Sequence, residues 1–332
     1  MSLVVGCDTG SLGLDDIFRL ISGIDVDGNI YIRLCDDETP LVDLSELSCE
    51  DTTTMLDILR GALFLNDDGE YCLNVSSALA VSDFCATYQT IYDSFATPPS
   101  DAIAAEQNTM VCGLVDDGVW AKLDVFYMFA QSNGTDALIN WFNPGTFDAT
   151  NVHATAFTAL EGFTGDGAND YINCNWNPAT NGINYAQNSA SMGTYIRTNV
   201  SENRYDFGVA GAGTNIFLIV NSGGNSWYKC NDDTWSIPVT ADSRGLFIIN
   251  RTDAANHQMF RNKVVSSAAA ASVGTVSGDA YVLCLNSGGP ALHTTKQASL
   301  FFAGGGLTQT NVDNLTDRFE TYMDSNGKGV IP

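Results

Sequence analysis

Apolar runs in this chain never last long. Segments such as NIFLIVNS, GLFIINR, YVLCLNS and ASLFFAGG are each closed by Gly, Ser, Asn or Arg. Runs of about four to eight residues suit a strand and are too short for a helix with a buried face. Several alternate. Ile172, Cys174 and Trp176 fall on one face, and Tyr171, Asn173 and Asn175 on the other. Tyr205, Phe207 and Val209 likewise oppose Arg204, Asp206 and Gly208. A period of two with turn residues at every break predicts a two-sheet sandwich over residues 119 to 306.

Outside that region the period lengthens. Leu14, Ile17, Phe18 and Ile21 share a helical face before Gly23, and a second helix is expected in TTTMLDILRGALFL. Phe84, Tyr88, Ile91, Tyr92 and Phe95 form a third stripe that Pro98-Pro99 ends. A helix over 101–115 follows, with Ser100 as its cap. The run from Leu123 to Phe129 has so few polar residues that both of its faces should be covered. The last helix carries Val312, Leu315, Phe319, Tyr322 and Met323 on one side, with Thr310 and Asp313 as a capping box and Gly327 just beyond its end. The division expected is an acidic α+β module over 1–95 and a sandwich domain over 96–332.

The net charge is −25. It is uneven: residues 1–100 hold 18 acids and 3 bases, and the remainder 21 acids and 11 bases. Phosphate binding needs clustered Lys and Arg, so a nucleic-acid partner and an anionic membrane surface are both disfavoured. No apolar stretch nears the roughly 18 residues of a membrane helix, and MSLVVGCDTG lacks the basic and apolar regions of a secretory leader. The nine cysteines contain no C-x-x-C pair. Most are expected to be buried thiols, Cys174 and Cys284 among them, rather than zinc ligands.

Three stretches carry a family resemblance: YQTIYDSFATPPSDAIAAEQNTMVCGLVDDGVWAKLDVFYMFAQ, ALINWFNPGTFDATNVHATAFTALEGFTGDGANDYINCNWNP and NYAQNSASMGTYIRTN. The hairpin-like GLFIINRTDAANHQMFRNKVV and the terminal LTQTNVDNLTDRFETYMDSNG add to it. Together they resemble a concanavalin A-like lectin/glucanase domain of the laminin-G-like kind, in the version common in tailed-bacteriophage virion proteins. The resemblance implies a mainly β chain, a jelly-roll sandwich with a small α+β N-terminal module and a C-terminal helix. It further implies a virion surface protein (tail fibre, head fibre or decoration protein) made in the host cytoplasm and released by lysis. Such a protein would assemble as a homo-oligomer, by default a trimer. Its N-terminal module would dock on other virion proteins, and its sandwich would bind host surface glycan. The alternatives are a polysaccharide-degrading virion enzyme and a structural protein without ligand.

Glucanases of this fold place E-x-D-x-x-E carboxylates on one strand, and no such run occurs here. G-x-S-x-G is absent, and His153, His257 and His293 stand far apart. The chain is therefore expected not to be an enzyme. GVAGAGTN precedes a strand rather than a helix, so it reads as a hairpin turn and not a phosphate cradle. In TGDGANDY, Asp166, Asn169 and Asp170 offer hard oxygens to calcium, as laminin-G-like folds do near strand ends; the alternative is a turn satisfied by its own backbone. Trp176 shares a face with Ile172 and Cys174 and belongs in the core. Trp227 and Trp235 flank the polar turn YKCNDDT and, with Tyr228 and Asn231 within it, are the candidate sugar-stacking surface, the alternative again being core.

Overall fold

A computed structural model describes residues 84–332 and four short strands before them. The chain divides into two units, 1–83 and 84–332. In the first unit, β1 (Ile21–Ile24) pairs antiparallel with β2 (Ile30–Ile32), and β3 (Leu63–Leu65) with β4 (Tyr71–Leu73). The helix expected around Leu14–Ile21 and the one in TTTMLDILRGALFL lie largely outside the described residues; where they overlap them, at Ile21 and at Leu63–Leu65, the backbone is strand.

The second unit begins with α1 (Ala86–Tyr92) and α2 (Asp101–Asp116). The strands that follow are β5 (Leu123–Met128), β6 (Thr150–Val152), β7 (Ala156–Thr158), β8 (Gly162–Thr164) and β9 (Tyr171–Asn173). After a short α3 (Pro178–Asn181) come β10 (Ala190–Ile196), β11 (Phe207–Ala210), β12 (Asn215–Ser222), β13 (Asn225–Asp232), β14 (Gly245–Arg251), β15 (Asn256–Arg261) and β16 (Val264–Ala269). Four more strands, β17 (Tyr281–Val282), β18 (Leu285–Asn286), β19 (Pro290–Ala291) and β20 (Gln297–Gly304), lead into α4 (Gln309–Ser325). One sheet has the order β16-β15-β14-β10-β20-β8-β7, with β5 also on β20; the other runs β13-β12-β11-β17-β9-β6, with β18 and β19 joined at β11. This is the jelly-roll-like sandwich that the sequence predicts.

Parity explains the layering. In β14, Phe247 and Ile249 enter the core between the sheets, while Leu246 and Ile248 face the helices. In β20, Phe301 and Ala303 do the former, Leu300 and Phe302 the latter. β5 splits in the same way and is buried along its whole length. The unit is thus three layers: sheet, sheet, and a helical cover in which Tyr88, Ile91, Val111, Leu114, Leu315, Phe319 and Met323 close over the outer side of the first sheet. Each fully buried large apolar side chain there is worth about 1.5–3 kcal/mol relative to exposure.

That cover moves the domain boundary. Tyr88, Ile91 and Phe95 are buried with Trp141 and α2, so α1 belongs to the second unit, and the division falls after residue 83 rather than after 95. A disulfide between Cys85 and Cys112, 27 residues apart, ties the start of α1 to α2, so these two cysteines are not the thiols expected of them. Cys174, Cys230 and Cys284 are free and buried. The α4 cap is Thr308 with Asn311 rather than Thr310 with Asp313, because the helix starts two residues earlier. Ser100 holds the cap position of α2 but makes no side-chain cap bond. The β12–β13 turn sits on Gly223 and Gly224, both at positive φ (63° and 84°), the conformation that tight right-twisted hairpins require.

The two sheets are cross-linked by a buried ion pair. Arg251, at the end of β14, has no exposed surface. It donates from Nε to the Cys230 carbonyl (2.8 Å), from Nη1 to those of Ala270 (2.8 Å) and Asn256 (3.0 Å), and from Nη2 to Asp232 Oδ2 (2.7 Å). Removing one partner of such a pair strands the other charge in the interior. Arg251→Ala should therefore lower the unfolding free energy of the second unit by about 3–5 kcal/mol in guanidinium titration. A loss of under about 1 kcal/mol would show that water reaches Asp232 and that the link is dispensable.

Candidate functional site

The candidate surface lies on the outer side of the second sheet, at its β13 edge. Ile216, Leu218 and Val220 of β12, and Tyr228 and Cys230 of β13, point into the core. The residues of opposite parity, Phe217, Trp227 and Lys229, therefore face away from it. Beyond β13 the chain turns at Asp233–Thr234 and runs back beside it. Tyr228 and Ser236 exchange backbone N–H···O=C bonds (3.2 and 3.3 Å), Ser226 N–H donates to the Pro238 carbonyl (2.9 Å), and Thr240 N–H to that of Gly224 (2.8 Å). This return segment has two chemically distinct sides. Trp235, Ile237 and Val239 face solvent, 43 %, 45 % and 84 % exposed, while Ser236 and Thr240 are buried.

Trp235 is held from beneath. Its ring lies 5.1 Å from Phe217 and 5.8 Å, edge to face, from Trp227. Lys229 Nζ sits 4.7 Å from the Trp235 centroid, a cation–π contact, and pairs with the exposed carboxylate of Asp233. Tyr205 covers the other side of Phe217 at 5.0 Å. The result is a rigid indole platform with a carboxylate beside it and its cation already engaged.

Of the four residues predicted for sugar contact, only the two tryptophans are on this surface. Tyr228 is buried and stacks on His257, 4.6 Å between rings. Asn231 is buried too, accepting the Tyr185 hydroxyl proton and donating to the carbonyls of Ala186 and Gln187. The reason is that YKCND is not a turn. β13 continues through it to Asp232, and alternation sends Tyr228 inward. Trp176 is core, as expected.

The TGDGANDY loop does not fit a calcium ion. Asp166 Oδ1 accepts three backbone N–H bonds, from Ala168 (2.8 Å), Asn169 (3.0 Å) and Asp170 (3.0 Å). The Asp170, Ala168 and Asn169 amides hold its carboxyl at about 2. Asp170 moves the other way: burial and then the Asp166 charge push it up. Among the described residues no group of three or more His, Cys, Asp or Glu side chains is placed to hold a metal.

Beneath the platform lies a polar chain that sequence spacing did not suggest. Ser236 Oγ is 2.6 Å from His257 Nε2, and His257 Nδ1 is 2.8 Å from Asp232 Oδ2, the oxygen that also receives Arg251. Burial pushes the Asp232 carboxyl up, but His257 and the amides of Thr234 and Cys230 outweigh this and keep it below the ordinary aspartate value. The signal was His257 itself. It shares parity with Met259, whose side chain is core, so a partner was required. The free thiols of Cys230 and Cys284 are pushed up by burial to about 12 and stay protonated.

No family model and no curated protein matches the sequence. Solved structures do match. One is the binding domain of botulinum neurotoxin serotype D (9 % identity, 60 % of this chain and 52 % of that one, TM-score 0.44). Another is Trypanosoma rangeli sialidase in complex with sialic acid (10 % identity, 81 % and 45 %, TM-score 0.44). A third is domain 4 of AbnA, an extracellular GH43 arabinanase from Geobacillus stearothermophilus, in complex with arabinotriose (15 % identity, 59 % and 98 %, TM-score 0.34). The chain spans about half the length of the first two. The expectation that this chain is no enzyme is withdrawn: sialidases are among these matches, and a missing carboxylate run does not exclude catalysis. At these identities the likeness bears on fold and assigns no activity.

If the Asp166 turn is closed on its own backbone, millimolar calcium and EDTA should give identical melting curves and identical amide exchange at Ala168–Asp170. Stabilisation from this turn should be present above pH 3.8 and lost as the pH falls through about 2. Slowed exchange on adding calcium would restore the metal site.

Proposed function

We propose that the second unit binds glycan through the Trp235 platform, and that the chain is a tailed-phage virion surface protein adsorbing to its host by that contact. The supporting observation is an indole held 43 % exposed on a buried aromatic and cationic bed. Exposed apolar surface of this kind is costly unless something covers it. A pyranose offers a matching C–H face, and a ring already fixed by Phe217 and Lys229 loses little freedom on binding. The Asp233 carboxylate is positioned to accept sugar hydroxyl protons. Lys229 is engaged with Asp233 and under the indole, so the platform favours a neutral sugar over an acidic one.

The virion setting is supported by the sequence resemblance and by the acidic N-terminal part, which suits attachment to a basic neighbour. One platform per chain makes weak contacts. Several on one particle, presented by a trimer, make them strong through effective concentration.

Trp235→Ala should weaken binding to neutral polysaccharide about tenfold by calorimetry, the stacking contribution being roughly 0.5–1.5 kcal/mol beyond area, with the melting temperature little changed. Unaltered affinity would remove the platform from the binding site. Light scattering of the full chain at micromolar concentration should give the mass of a trimer; a monomer would sink the multivalent reading.

A further inference from the structure

Glycan binding makes no use of the Ser236–His257–Asp232 chain, and its geometry resembles machinery more than bracing. The two imidazole nitrogens face different partners. Asp232, kept ionised, accepts at Nδ1 (2.8 Å), which fixes the tautomer with hydrogen there and leaves Nε2 to accept from the Ser236 hydroxyl (2.6 Å). Asp232 and His257 have no exposed surface, whereas Ser236 keeps 8 % of its own. Ser236 is thus the member of the chain that retains some exposed surface. Trp235 and Ile237, its neighbours, are both nearly half exposed. Arg251 locks Asp232 in place at 2.7 Å.

A further group needs explaining. Tyr228 packs its ring on His257, and its hydroxyl is buried beside Ser236 without a hydrogen bond of ordinary geometry. A buried hydroxyl whose hydrogen bond to Ser236 is poorly formed contributes little to a pure scaffold. It becomes useful where an oxygen carries transient charge.

We infer that Ser236 is the nucleophile of a serine-hydrolase site, with His257 as general base, Asp232 as the carboxylate that orients it, and the Tyr228 hydroxyl as a donor to the oxyanion. The substrate class is a short acyl ester. In the first half-reaction Ser236 Oγ bonds to the ester carbonyl carbon as its proton passes to His257 Nε2. The carbon–oxygen bond to the alcohol then breaks, and the alcohol leaves with that proton. In the second, water gives a proton to His257 and its oxygen to the acyl carbon. The acid departs and Ser236 recovers its hydrogen. Ser236 keeps only 8 % of its surface exposed, which restricts the acyl group to about the size of acetyl. An O-acetylated sugar is the ester that the glycan reading supplies, whereas the triad does not depend on that reading.

The test starts with the wild-type full chain. A small fluorophosphonate should add one adduct by intact mass, mapped to Ser236, and p-nitrophenyl acetate should be hydrolysed. Ser236→Ala, with folding checked by near-ultraviolet dichroism, should lose the adduct and at least 100-fold in rate. Folded wild-type protein that takes no adduct at Ser236 overturns the proposal without any variant, and so does hydrolysis that survives in Ser236→Ala. Acetate release from an O-acetylated neutral polysaccharide should also require Ser236. Turnover of p-nitrophenyl acetate without that release would keep the triad and overturn the sugar ester.

Discussion

The buried pairing of Arg251 with Asp232 fixes the arrangement on which both surfaces of the β13 edge depend. Exchanged for apolar residues of equal volume, such a pair often costs nothing, so its value is not simply stability. What it specifies is position. A guanidinium fork with no exposed surface can be satisfied only where the Cys230, Asn256 and Ala270 carbonyls and the Asp232 carboxylate converge. That happens only with the end of β13 lying over β14 and β15. Slip β13 by one residue and Trp227 and Lys229 would turn inward while Tyr228 turned out.

With β13 in register, the return segment inherits the alternation. Its outward residues are apolar and exposed, and its inward residues carry hydroxyls that find His257 and Ser226. The aromatic bed and the polar chain are therefore two faces of one strand edge, a few ångströms apart through the backbone. A ligand stacked on Trp235 would lie across the backbone from Ser236.

Period and turn chemistry made much of this fold legible. The α4 stripe of Val312, Leu315, Phe319, Tyr322 and Met323 is buried as its spacing requires, and the apolar run at β5 is covered on both sides. GVAGAGTN is the β11–β12 turn. The site was less legible because it depends on pairings between distant segments. YKCND has the composition of a loop, yet its pairing with Asn215–Leu218 makes it strand, so Tyr228 and Asn231 were assigned to the wrong side. His257 and Asp232 are 25 residues apart, and no motif anticipates their meeting. The same limit applies to Cys85 and Cys112, whose partnership depends on how α1 docks.

That disulfide has a mechanical consequence for any protein tethered through its first residues. Tension arriving along the backbone at Asp83 meets Cys85 within two residues. The covalent bridge hands it directly to Cys112 in the C-terminal half of α2, bypassing α1 and the Pro98-Pro99 link. The stretch between the two cysteines is thus shielded from load, and α1 cannot be peeled from the sandwich by pulling. Reduction would reroute the force through α1 and make that helix the first part to yield.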